Sequence, residues 1–160
     1  MRRLVAVLAL VALLAVNLRW AEPYYNWDML GYVGVAERLR GATPAEAHRR
    51  AYDLAYRHAP PEQYAWLVEG GAFQQAVAAD PAAFEQQLPF YRVKPAYPLL
   101  ILALERVGVD PVRASVWISR IAYLGIGVVA FIWLAGFLSP LAALATAWGV
   151  MSVQVALEAA

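Results

Sequence analysis

Apolar and polar positions divide the chain into two apolar regions separated by a long polar segment. Leu4 to Val16 is strictly apolar, and apolar stretches return after Tyr97. The segment between them, residues 21–96, is polar with helical periodicity and has no alternating run typical of strands. This pattern predicts an all-α fold, a polytopic membrane helical protein with a helical extracytoplasmic loop domain.

The lengths of the apolar stretches define the parts. The stretch after Tyr97 is interrupted by Glu105 and Arg106, which makes it too short to span a bilayer and typical of an interfacial or half-buried helix. Ser139 and Pro140 separate two longer stretches. We expect a transmembrane anchor (1–20), an extracytoplasmic helical loop (21–96), an interfacial helix (97–111) and two transmembrane helices (112–138 and 140–160).

The N-terminus resembles a secretory signal in its basic start and apolar middle. Residues 17–22 lack the pair of small residues, two positions apart, that precedes a cleavage site, so we interpret the segment as an uncleaved anchor. Arg2 and Arg3 place its start in the cytoplasm by the positive-inside rule. The loop after Trp20 is then extracytoplasmic.

Capping signals mark helices within the loop. One helix begins between Asn26 and Asp28 and ends at Gly41. A second begins with Thr43 as N-cap, followed by proline and a capping-box glutamate, and ends before Pro60. Two shorter helices are predicted over residues 61–71 and 81–89.

Composition supports a membrane protein and argues against several functions. The chain is 62% hydrophobic, with a mean hydropathy of +0.49 and a net charge of +1, so we expect membrane lipid as a partner and no nucleic acid. It has no cysteine, which excludes disulfides and thiolate chemistry. We expect no cofactor, and no cluster of ligands supports a metal site. His48 and His58 do not share a helix face, and we expect both to be solvated.

Asp28, Arg92 and Lys94 are charged residues with two interpretations each. Asp28 is expected to cap its helix, and the same position keeps a carboxylate ionised for work as a base or ligand. Arg92 and Lys94 are suited to snorkelling at a lipid interface. The prolines at 95 and 98 also favour a cation pair held in fixed geometry, which suits a phosphate.

Arg120 and Glu158 lie within or beside the later spans. A charge at the depth of Arg120 indicates either a function or snorkelling to the outer interface. Glu158 is explained by the end of the last span.

The order of these parts resembles the N-terminal module of the GT-C superfamily of integral membrane glycosyltransferases, which includes protein mannosyltransferases and aminoarabinose transferases. Three segments carry the resemblance: "NWDMLGYVGVAERL", "YRVKPAYPLLILALERVGVDPVRASVWISRIAYLG" and "SPLAALATAWGVMSVQVALEAA". Asp28 is followed by Met29, whereas many members carry a paired acidic motif there. This departure argues against a divalent metal.

The resemblance implies transfer of a sugar from a polyprenyl-phosphate-linked donor on the extracytoplasmic side of a bacterial-type inner membrane. It implies that Asp28 is the catalytic base or orients the acceptor hydroxyl. Lys94 would bind the donor phosphate, with Arg92 and Arg120 assisting. Glu158 matches a charged position that leads into the second outer loop.

Two other functions fit the same sequence. The first is a non-catalytic membrane scaffold or assembly subunit with a partner-binding outer loop. The second is a transporter fragment. It is less favoured because a long ordered loop has no obvious part in alternating access. We also expect the remaining spans of a longer chain, since Ala160 ends a helix without a stop signal.

Overall fold

The computed structural model describes residues 2–21 and 23–158, with side chains described for residues 4–19, 21 and 23–153. All regular structure in these residues is helical. This confirms the all-α prediction for the described part of the chain. The helices are α1 (Arg2–Trp20), α2 (Trp27–Leu39), α3 (Pro44–His58), α4 (Pro61–Glu69), α5 (Ala72–Ala79), α6 (Pro81–Arg92), α7 (Ala96–Arg106), α8 (Pro111–Leu134) and α9 (Pro140–Glu158).

The chain divides into two compact units. The polar helical unit comprises residues 24–118, which include α2 to α7 and the first two turns of α8. The apolar helical unit comprises α1, the rest of α8 and α9.

Helix α2 is the centre of the polar helical unit. Its residues from Met29 to Glu37 are all buried, so it is covered on every side. Two glycines allow this close packing. Gly31 lies against the ring of Tyr91, and Gly34 lies against Phe84 and Leu88 of α6. Leu39, at the end of the helix, is exposed.

Local signals correctly mark α3 and α4. Thr43 accepts a hydrogen bond from the backbone of Glu46, whose side chain accepts one from the Thr43 backbone, and this pair forms the predicted capping box. Helix α5, which follows Gly71 and has no side-chain cap at its start, is absent from the predicted helices.

Helix α6 continues past the predicted end at Pro89. Proline inside a helix removes one backbone hydrogen bond and costs about 3 kcal/mol. Leu88 is nevertheless fully buried, and Tyr91 packs on α2, so tertiary contacts hold the last turn in place. The predicted end is wrong for this reason.

Helix α7 packs into the polar helical unit along one face. Pro98 and Ile101 are buried, and Ile101 shares a core cluster with Tyr32 and Ala36 of α2 and Ala114 of α8. Asp110 then accepts hydrogen bonds from the backbone of Val112 and Arg113 and so caps the start of α8.

The apolar helical unit packs α1 against α9 and α8. Its core contains Leu10, Leu14, Phe131, Ala143, Ala147 and Met151. A polar contact crosses these helices, because the Asn17 amide donates to the hydroxyl of Ser152 at 2.8 Å and of Tyr123 at 3.3 Å. Side-chain hydrogen bonds of this kind join helices in membranes as well as in water.

Among the described residues, α8 alone is long and apolar enough to cross a membrane. Leu4–Arg19 and Pro140–Val153 form shorter apolar helices. Ile126, Val129, Ile132 and Trp133 of α8 are exposed, unlike those of a core helix in a soluble protein. The polytopic arrangement, with spans at 1–20 and 140–160, stays a prediction.

Candidate functional site

Asp28 lies in the first turn of α2 but does not cap it. The side chain of Asn26 accepts a hydrogen bond from the Met29 backbone at 3.2 Å and is the N-cap. The expected capping role of Asp28 is therefore wrong. Asp28 is exposed, and its position in the first turn still gains from the helix dipole.

Asp28 contacts one side chain from another helix. The Tyr91 hydroxyl, on α6, donates to Oδ1 of Asp28 at 3.4 Å. This contact joins the start of α2 to the end of α6. Within the described ranges no hydrogen bond reaches the second carboxylate oxygen of Asp28.

Close packing holds the Tyr91 ring in place. The ring lies so close to Gly31 that a methyl group on that residue would stand 2.3 Å from it. It also meets the ring of Tyr32 edge to face, with 5.1 Å between ring centroids. Burial and the Asp28 charge raise the pKa of Tyr91 to about 12, so the phenol stays protonated and acts as a donor at neutral pH.

Lys94 and Arg92 lie near Tyr91 but differ in their surroundings. Lys94, the sole lysine of the chain, is exposed in the short turn between α6 and α7. Its backbone N–H donates to the Tyr91 carbonyl, and its ammonium group has no ion-pair partner among the described residues. Arg92 instead pairs with Glu85 at 3.4 Å, and Glu85 also binds Arg38.

Arg120 and Glu158 belong to the apolar helical unit. Arg120 lies on α8, is half-buried, and has no ion pair or hydrogen bond from its side chain to the residues that the structure describes. Glu158 is the last residue of α9, and its side chain lies outside the described residues. The structure therefore joins Asp28 to Tyr91 through a side-chain contact and places Lys94 three residues after Tyr91 in the chain.

A buried ion network lies elsewhere in the polar helical unit. Glu37 of α2 is 2% exposed, and its Oε1 lies 2.7 Å from Nε of Arg50 and 3.5 Å from Nη1 of Arg40. Glu105 of α7 pairs with the same two arginines, at 2.7 Å from Arg50. The network ties α2, α3 and α7 together.

The burial of Glu37 costs solvation energy that the arginines partly offset. Desolvation raises the pKa of the Glu37 carboxyl, Arg50 and Arg40 lower it, and Glu105 raises it. Oε1 of Glu37 accepts no aligned hydrogen bond from the described residues, so its contacts with Arg50 and Arg40 are ion pairs only. The buried charge of Glu37 is therefore compatible with a stable unit only while Arg40 and Arg50 remain beside it.

Both histidines have partners, so the expectation that they are solvated is wrong. His48 lies 3.1 Å from the Val77 carbonyl and stacks near Tyr52 and Phe84. His58 pairs with Asp110 at 3.2 Å. The His48 ring thus joins α3 to α5, and the His58 ring joins the end of α3 to the residue that precedes α8.

Sequence reasoning missed Tyr91 and Glu37. Glu37 follows Val33 by four residues on α2, and a charge at that spacing on an apolar face signals a buried ion pair. Tyr91 carries no such signal, because its role depends on contact with Gly31 and Asp28 from a distant helix.

No group of three or more His, Asp or Glu side chains that could hold a metal occurs in the described part of the chain. Comparisons with protein-family models, curated proteins and solved structures found no match.

Proposed function

We propose that the chain is a membrane glycosyltransferase, or the N-terminal part of one, that transfers a sugar from a polyprenyl-phosphate donor on the extracytoplasmic side of a bacterial-type inner membrane. The observation that carries the proposal is an exposed carboxylate, Asp28, which accepts a hydrogen bond from Tyr91, while an exposed cation, Lys94, follows Tyr91 by three residues. The resemblance to GT-C enzymes assigns functions to the same two residues.

The chemistry requires a base and a phosphate site. Asp28 takes the proton of the acceptor hydroxyl. The acceptor oxygen then bonds to the anomeric carbon of the sugar, and the bond from that carbon to the donor phosphate breaks. The phosphate leaves with the electron pair, and Lys94 stabilises its negative charge. Tyr91 donates to Asp28 and limits its motion.

Arg92, Arg120 and Glu158 have weaker support for roles in binding. Arg92 already pairs with Glu85, so contact with a phosphate would require it to exchange partners. We therefore assign the leading phosphate contact to Lys94 and keep the other three as predictions of the resemblance.

A transfer assay tests the role of Asp28. The full chain, reconstituted in nanodiscs, is supplied with undecaprenyl-phosphate mannose and with the glucose analogue. Asp28→Asn should lower transfer by about 10²- to 10⁴-fold, the range for a lost general base, with little change in thermal stability because Asn26 caps α2. Asp53→Asn, an exposed carboxylate on α3, is the matched control. Full activity in Asp28→Asn would exclude the assignment.

A binding assay tests Lys94 separately. Undecaprenyl phosphate and undecaprenol, which lacks the phosphate, are titrated against the wild type, Lys94→Ala and the control Arg57→Ala. Loss of binding should be confined to Lys94→Ala and to the phosphorylated lipid. Equal binding by both variants would remove Lys94 from the donor site.

A scaffold or assembly subunit is the alternative, and one observation favours it. The polar helical unit exposes several large aromatic side chains: Tyr24, Tyr56, Trp66 and Phe73. Exposed groups of this size often mark partner surfaces. Absence of transfer by the wild type, together with a partner whose binding is lost on Trp66→Ala, would favour this function.

A further inference from the structure

Helix α7 has a second apolar face, which points away from the core of the polar helical unit. Its exposed positions recur at the spacing of a helical stripe, and we call them the α7 stripe: Ala96, Leu99, Leu100, Ala103, Arg106 and Val107. Pro98 and Ile101 lie on the buried face. The helix is thus apolar on both sides, and only one side has a partner in its own unit.

The exposure of the α7 stripe is large for apolar side chains. Leu99 is 54% exposed, Leu100 is 49% exposed and Val107 is 76% exposed. Val93, in the turn before the helix, is 74% exposed. A continuous row of this kind marks an interaction surface, whereas isolated exposed leucines do not.

The acidic and basic residues around the α7 stripe differ in whether they have ion-pair partners. The acidic residues nearby are occupied within the unit, since Glu105 binds Arg40 and Arg50, and Asp110 binds His58. Arg106 lies in the stripe and Arg113 in the first turn of α8, both exposed and without an ion-pair partner among the described residues. The charge left available there is positive.

Chain connectivity brings this surface close to the helix best suited to cross a membrane. Residues 107–110 join α7 to α8, and four residues span at most about 15 Å. Because α8 has the length and composition of a membrane span, a lipid surface lies within reach of the α7 stripe if α8 is inserted.

We propose that the α7 stripe docks the polar helical unit on a bilayer of anionic phospholipid. Leu99, Leu100 and Val107 enter the boundary between headgroups and acyl chains, while Arg106 and Arg113 bind lipid phosphates. The interfacial helix expected from sequence thereby gains a defined lipid-facing side and a preference for anionic lipid. This holds whether or not the chain transfers a sugar.

Fluorescence quenching in nanodiscs tests the proposal. The chain has no cysteine, so a single introduced cysteine takes an environment-sensitive label specifically. Leu100→Cys probes the stripe and Ala103→Cys repeats the measurement if the first variant fails to fold. Leu39→Cys, a leucine 57% exposed at the end of α2, is the matched control. Nanodiscs contain phosphatidylcholine alone or with phosphatidylglycerol, and doxyl-labelled lipid is the quencher.

We expect the label at position 100 to be quenched several-fold more than the label at Leu39, and more strongly with phosphatidylglycerol. Adding Arg106→Gln should lower the ratio of docked to undocked protein by about fivefold, the effect of one basic residue near an anionic surface. Equal quenching at both positions overturns the proposal, and equal quenching in both lipid mixtures overturns its anionic part. A label at 100 shielded from both doxyl lipid and aqueous iodide would show that protein covers the stripe, which also overturns it.

Discussion

The packing of Tyr91 on Gly31 can be tested with one methyl group. In Gly31→Ala the new carbon would stand 2.3 to 2.5 Å from three atoms of the Tyr91 ring, well inside contact distance. Either the ring or α2 must move. A moved ring gives up its contacts with Tyr32 and Asp28.

The magnitude follows from two opposing terms. Overpacking a buried contact costs about 1–3 kcal/mol, and this approach is close enough to favour the upper end. Alanine in place of glycine stabilises a helix by about 1 kcal/mol, because alanine has the higher helix propensity. We expect a net loss of about 2 kcal/mol in the free energy of unfolding, or about 10 °C in Tm for a unit of this length.

Thermal unfolding of the full chain in mild detergent, followed by circular dichroism, measures the loss. The control is a double variant. With Tyr91→Ala as background, Gly31→Ala should become neutral or stabilising by up to about 1 kcal/mol, because the ring that it strikes is gone. An unchanged Tm in Gly31→Ala, or an equal loss of stability in both backgrounds, would show that the Tyr91 ring does not restrict residue 31.

Two further predictions concern charges in the polar helical unit. Arg50→Ala should lower the free energy of unfolding by about 2 kcal/mol in chemical denaturation, because Glu37 stays buried while Arg50 is partly exposed, which places the pair between buried and exposed ion pairs. The control Arg57→Ala should lower it by less than about 0.5 kcal/mol. Equal losses in the two variants would contradict the ion network. The phenol of Tyr91, isolated as the absorbance difference between wild type and Tyr91→Phe, should titrate at about 12 and at a lower pH in Asp28→Asn; an unchanged titration in that variant would exclude the contact. Because the folded pKa of Tyr91 is raised, its contribution to stability is complete below about pH 10 and is lost as the pH rises through about 12.

Short-range signals predicted most helices of the loop. The capping box at Thr43 and Glu46 requires atoms only three residues apart, so its geometry is present in the sequence. Pro89 and Asp28 show the limit of such signals. The helix passes Pro89 because Leu88 and Tyr91 are held by α2, and Asp28 is free of a capping role because Asn26 takes it.

The candidate site divides in the same way. Charge and position along the chain predict Asp28 and Lys94, whereas nothing in the sequence marks Tyr91, whose hydroxyl contacts Asp28. Its importance depends on a glycine sixty residues earlier that allows the ring to approach. Long-range steric fit of this kind leaves no local pattern.

Periodicity and capping act over a few residues, so local patterns predict the all-helical character, the division into polar and apolar parts and several helix ends. Which charges are buried together and which face of α7 is left exposed depend on how distant helices pack. Glu37, Arg50 and Glu105 come from three different helices, so their pairing energies exist only after those helices pack.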